Sequence, residues 1–124
     1  MSRRDKVPAI PSDIAMLALR LWHERRWRDR HFRAFRDLFA DPAWDLLLDL
    51  LVSESEGRSV STTAACMASG VAASTALRYI NLLEERDLVM RVPDPSDARR
   101  MFVKLSPVGR REMIAYLRLI EGQR

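Results

Sequence analysis

The chain is poor in the residues from which metal, redox and catalytic sites are usually built. Its 124 residues include one cysteine, two histidines and four glycines, and 7% of them are aromatic. Cys66 cannot form an internal disulfide, and without a second thiol there is no CxxC motif. Its neighbours Ala65 and Met67 do nothing to favour a thiolate, so a small core residue is the expected role. His23 and His31 stand eight residues apart with no further ligand at metal-binding spacing, so no metal is expected. The glycines all fall at breaks, and neither a phosphate-cradling loop nor a Ser-His-Asp order is present. No catalytic residue and no cofactor is therefore expected. There is no apolar run of about 18 residues, which excludes a transmembrane helix. The first fifteen residues carry Asp5 and Asp13 and lack a long apolar stretch, which argues against a signal peptide. The expectation is a cytoplasmic protein.

What is present is a core and a great deal of arginine. An apolar content of 48% over this length suffices for one compact domain. Of the 21 cationic residues 19 are arginine, whose rigid fork can hold a phosphate or a guanine edge at two points. The net charge of +4 is unevenly spread. Residues 1–36 carry a local +6, residues 37–61 a local −5, and residues 88–124 a local +4. Such separation suggests one face that meets phosphate and another that does not.

Helix and turn signals divide the chain. Residues 1–11 read as a basic tail, and Ser12 reads as a helix N-cap with Asp13 in the first turn. Apolar residues then recur at helical spacing through a segment spanning 12–40, whose other faces carry arginines. Asp41-Pro42 pairs a cap with a proline at the first helical position, opening a second helix that Gly57 ends. Ser59-Val60-Ser61 allows a strand fragment, and Ser61 or Thr62 can cap a third helix that breaks at Gly70. Residues 73–86 form a fourth helix with Ala76, Ile80 and Leu83 inward, and Asp87 takes the left-handed position at its end. Two strands are predicted, Leu88 to Val92 and Met101 to Leu105, joined by a loop that ends in Arg99-Arg100. Ser106-Pro107 starts the last helix.

This order is mainly α with a small β-hairpin wing: a winged helix-turn-helix over residues 41–106, with an added N-terminal helix and a C-terminal helix over 107–124. With Ala76, Ile80 and Leu83 buried, Ser74, Thr75 and Arg78 lie on or near the opposite side of the fourth helix. They could meet a major groove, where Arg78 would be a candidate for a guanine edge. A simply solvated face is the plainer alternative for these residues, as a soluble hairpin loop is for Arg99 and Arg100.

The run ASGVAASTALRYINLLEERDLV from Ala68 to Val89, with DPSDARRMFVKLSPVG from Asp94 to Gly109, resembles the MarR-type winged-helix transcriptional regulators over residues 42–122. The resemblance implies a homodimer on double-stranded DNA, with a recognition helix in the major groove and an arginine wing in the minor groove. It implies DNA contacts at Thr62, Ala73, Ser74, Thr75, Arg78, Arg99 and Arg100. Asp97 would support the wing through an ion pair. Dimerisation would fall to Leu17, Leu21 and Trp22 of the first helix and to Met113, Leu117 and Ile120 of the last. A small-molecule effector of unknown identity is a further possible partner. The alternative reading is a winged-helix protein-protein interaction module that binds DNA weakly or not at all.

Overall fold

The computed structural model describes residues 9–123, so residues 1–8 of the expected basic tail lie outside the described residues. Five α-helices run α1 Ser12–His31, α2 Pro42–Ser55, α3 Thr62–Ala68, α4 Ala73–Glu85 and α5 Pro107–Glu121. Three strands, β1 Val60–Ser61, β2 Val89–Asp94 and β3 Asp97–Leu105, form an antiparallel sheet in the order β1-β3-β2. A 3-10 segment, Arg33–Leu38, joins α1 to α2.

Local chemistry sets most of these boundaries. The Asp41 carboxylate accepts from the Trp44 amide and Pro42 occupies the first turn of α2. The Ser61 hydroxyl accepts from Ala64 N at the head of α3, and that of Ser106 from Gly109 N at the head of α5. Gly57 (φ 71°) and Gly70 (φ 77°) turn the chain where α2 and α3 end. Ser12 proves not to be a cap. It lies inside α1, and Pro11 holds the cap position, its carbonyl accepting from Ala15 N at 2.9 Å.

The hairpin is longer than expected. Its strands extend through Asp94 and from Asp97, leaving Pro95 and Ser96 as the tip, so Arg99 and Arg100 belong to β3 and not to a loop. Pro93 is accommodated because β2 is an edge strand, where a residue without an amide hydrogen is tolerated.

The core gathers Ile14 and Leu17 of α1, Leu46, Leu48 and Leu51 of α2, Ile80 of α4, Val103 and Leu105 of β3, and Leu117 of α5. Each such side chain contributes about 1.5–3 kcal/mol by leaving water. Polar braces lock α1 to the rest. Arg25 grips the buried Asp45 through two hydrogen bonds of 2.7 and 2.9 Å, which also raises the guanidinium pKa. Trp22 Nε1 donates to Asp49 at 3.1 Å, and Arg26 and Arg28 donate to the carbonyls of Ala68 and Phe39. These α1 arginines hold the fold together. Arg110, almost wholly buried, pairs with Glu54 through both of its oxygens and so fastens α5 to α2.

The residues expected for dimerisation divide by burial, and three of the six are taken up by their own chain's core. Leu17, Met113 and Leu117 are buried within their own chain, while Leu21, Trp22 and Ile120 are half-buried against the same core. The apolar side chains that α1 and α5 turn outward are Met16, Trp27, Tyr116 and Leu119.

Candidate nucleic-acid interface

The third and fourth helices are joined by a tight, well-anchored turn. The buried Ser69 hydroxyl donates to the Cys66 carbonyl at 2.7 Å, and the positive φ of Gly70 reverses the chain. Ala72 then caps α4 without a side-chain acceptor, so the first amides of that helix have no local partner. Ala76, Ile80 and Leu83 seat α4 on the core. Its outer surface carries Ala73, Ser74, Leu77, Arg78 and Asn81, all exposed, with Thr75 half-buried at the flank. Ser74, Arg78 and Asn81 follow one another at helical spacing and share a face. The Arg78 guanidinium lies 5.7 Å from the centre of the Tyr79 ring.

The hairpin beside α4 is organised by two aspartates. Asp94 accepts from the Ser96 amide at 2.8 Å and from its hydroxyl at 2.7 Å, closing the turn. These bonds, with the nearby Arg100, hold the Asp94 carboxyl below the usual carboxylate range. Asp97 Oδ1 accepts from the Arg99 amide at 3.0 Å and from its Nε at 3.2 Å, while the Arg99 side chain is 90% exposed. Arg100 Nε lies 3.8 Å from Asp94 and is half exposed.

Thr62 is brought to the wing: its hydroxyl donates to the Met101 carbonyl at 3.2 Å, and with Arg99 and Arg100 it lines one cleft between α3 and β3. Ser74, Thr75 and Arg78 belong to a separate surface on α4. Sequence reasoning missed Arg91. This β2 residue reaches across to α4, where it donates to the Asn81 side-chain oxygen and lies 3.7 Å from Glu84. Asn81 and Glu84 are three residues apart and so share one helix face, but no local signal ties Arg91 to them. Among the described residues no group of three or more His, Cys, Asp or Glu is placed to hold a metal, and no helix is long and apolar enough to cross a membrane.

A helix-turn-helix followed by a β-hairpin, with the hairpin fastened to the second helix, defines a winged helix-turn-helix protein. No family model matches the chain, and no curated protein is a significant match. Solved structures do match. A probable transcriptional regulator from Pseudomonas aeruginosa is 30% identical over 65% of this chain and 58% of its own, with a TM-score of 0.54. The chain thus spans 58% of the length of that relative. A transcriptional regulator from Thermotoga maritima is 25% identical, covering 82% of this chain and 75% of its own, with a TM-score of 0.51. MepR of S. aureus, in its DNA-binding conformation, is 16% identical over 87% of this chain and 74% of its own, with a TM-score of 0.57. The fold is that of the MarR-type winged-helix regulators.

Proposed function

We propose that the chain is a sequence-specific DNA-binding transcriptional regulator that acts as a homodimer. In this reading α4 enters the major groove and β3 carries Arg99 into an adjacent minor groove. The observation that carries it is the pairing of two surfaces: α4 presents Ser74, Arg78 and Asn81, and the hairpin pinned to it presents a guanidinium that is 90% exposed. Narrow A·T minor grooves concentrate negative potential and attract such a side chain. Arg100 and the unpartnered amides at the head of α4 would meet phosphates. The second copy would dock on the apolar residues that α1 and α5 leave outside, Met16, Tyr116 and Leu119. An anionic effector would find counter-charge in a cleft of about 410 Å³ where Arg26, Arg30, Arg33 and Arg36 outnumber the single carboxylate of Asp29, with Trp22 and His23 completing the lining.

Selection of bound duplexes from a random pool tests this reading. A two-fold symmetric site, bound with an affinity that falls steeply with salt, is the expected result. A second reading, a protein-docking module, is favoured by the exposed Trp27, Phe35 and Leu38 around the end of α1. Failure to shift any duplex at low salt would decide for it.

A further inference from the structure

Arg91 does more than brace the wing. Its Nη2 donates to the side-chain oxygen of Asn81, and its Nε lies 3.7 Å from a Glu84 carboxylate oxygen. Glu84 thus steadies the guanidinium from one side while Asn81 receives it on the other. A guanidinium has five donors and no acceptor. The end of Asn81 that faces Arg91 must therefore be its carbonyl oxygen, and the amide nitrogen with its two hydrogens is the end left for an approaching partner.

This orientation changes what the helix can read. A free asparagine offers a donor and an acceptor side by side and matches adenine, which presents N6 as donor and N7 as acceptor. Arg91 takes one of the oxygen's two lone pairs and holds that oxygen toward the wing, so the end of Asn81 turned away from the wing is the amide nitrogen and offers donors only. Guanine presents two acceptors, N7 and O6, and thymine presents one, O4. Against adenine one Asn81 hydrogen can reach N7, but the other would meet the N6 amine donor to donor.

Resting on the reading of α4 as a major-groove helix, we infer that Arg91 is a positioning residue: it turns the donor end of Asn81 outward, so the base beneath Asn81 is selected as guanine first, thymine and then adenine behind it, and cytosine, which presents only a donor, last. Asn81 is exposed, shares the face of Ser74 and Arg78, and lies within the same helix. Glu84 and Arg91 then act on base choice without touching a base.

The test compares duplexes selected from a random pool by the wild-type chain, Asn81→Ala, Arg91→Met and Arg91→Lys. At one half-site position the wild type prefers guanine over adenine by roughly tenfold, the lower part of the range for a good two-point contact. Asn81→Ala erases that preference and leaves the other positions intact. Arg91→Met keeps the aliphatic stem but frees the Asn81 oxygen, so the preference moves toward adenine. Arg91→Lys, still a donor without an acceptor, retains guanine. Asn81 lies on an exposed helix face, so its alanine variant folds and the test stands even if Arg91→Met does not. The inference is overturned if Asn81→Ala alters no position, if the wild type prefers adenine at the position that depends on Asn81, or if Arg91→Met lowers affinity equally for all sequences. A wild-type chain that selects no sequence at all refutes the sequence-specific reading itself. A selected site indifferent to Asn81 and Arg91 refutes only this inference.

Discussion

The Ser106 hydroxyl donates a 2.6 Å hydrogen bond to the Asp87 carbonyl oxygen, tying the end of α4 to the start of α5. Asp87 is the one non-glycine residue with positive φ among the described residues, at 60°. Around it Asp87 N donates to Glu84 O at 3.0 Å and Leu88 N to Leu83 O at 2.9 Å. This is the Schellman closure, which ordinarily takes glycine at the left-handed position. Asp87→Gly relieves that strain while keeping every backbone bond. It should stabilise the protein by roughly 1 kcal/mol or less, read as a rise in melting temperature.

Gly109 answers to a different constraint. A Cβ at this position would stand 1.9 Å from the Leu88 carbonyl oxygen, a backbone atom that cannot swing aside. The first turn of α5 is packed directly on the chain leaving α4. Gly109→Ala should destabilise the fold by about 3 kcal/mol or more in urea denaturation, beyond ordinary overpacking. A loss under about 1 kcal/mol would mean that the helix and the turn can separate.

Ala72 leaves a cap unused. Its φ of −57° and ψ of 147° suit an N-cap, yet the side chain offers no acceptor to the α4 amides. Ala72→Ser should add about 1 kcal/mol of stability by satisfying one of them. Thermal melting of the variant checks this, and an unchanged midpoint would show that the amides are already well solvated.

These positions also show what could be read in the chain. Asp41-Pro42, Ser106-Pro107, Gly57, Gly70 and Asp87 announce their roles locally, because caps and left-handed turns depend on one or two residues. The inward residues of α4 were legible for the same reason, since a helical period names its own buried face. Thr62 with Met101, Arg25 with Asp45 and Arg91 with Asn81 are 39, 20 and 10 residues apart, and no local rule pairs them. The hairpin was read short because the stretch from Pro93 to Asp97 is rich in turn formers; the edge position of β2 admits Pro93 as strand, and Asp97 joins β3 by pairing with Asp94 across the turn. The stripe of Leu17, Met113 and Leu117 was correctly apolar, but periodicity cannot say whose surface covers it. Here their own chain does.

Asp49 should show itself through pH. Burial pushes its carboxyl pKa up, opposed by the Trp22 hydrogen bond and by Arg26 and Arg58. A carboxyl whose folded pKa is raised contributes stability below its unfolded pKa, near 3.9, and loses that contribution as pH rises through the folded value. At neutral pH the charged form is therefore a liability. Asp49→Asn keeps an oxygen for Trp22 Nε1 and removes the charge. The variant should melt above the wild type at pH 7, with the difference shrinking as pH falls toward 4. A difference that instead grows on acidification would reverse the assigned sign.

Arg78 and Arg99 should fail in different ways. Arg99 is paired with Asp97 at the surface, where such pairs are worth about 0–1 kcal/mol, so Arg99→Ala leaves stability nearly unchanged. In a minor groove, however, its charge acts on phosphate potential. Arg99→Ala should weaken binding most at A·T-flanked sites and reduce the slope of log affinity against log salt by roughly 0.9, as for one lost phosphate contact. Arg78 has no carboxylate partner among the described residues, and its guanidinium rests by Tyr79 on the outer face of α4. Arg78→Ala should erase about 1–3 kcal/mol of discrimination at one base pair. Its salt slope should stay closer to the wild type than that of Arg99→Ala. Shift titrations of both variants over a series of salt concentrations, on the selected site and on a shuffled one, separate the two effects. Identical losses on both duplexes for Arg78→Ala would mean that it contacts phosphate and reads no base.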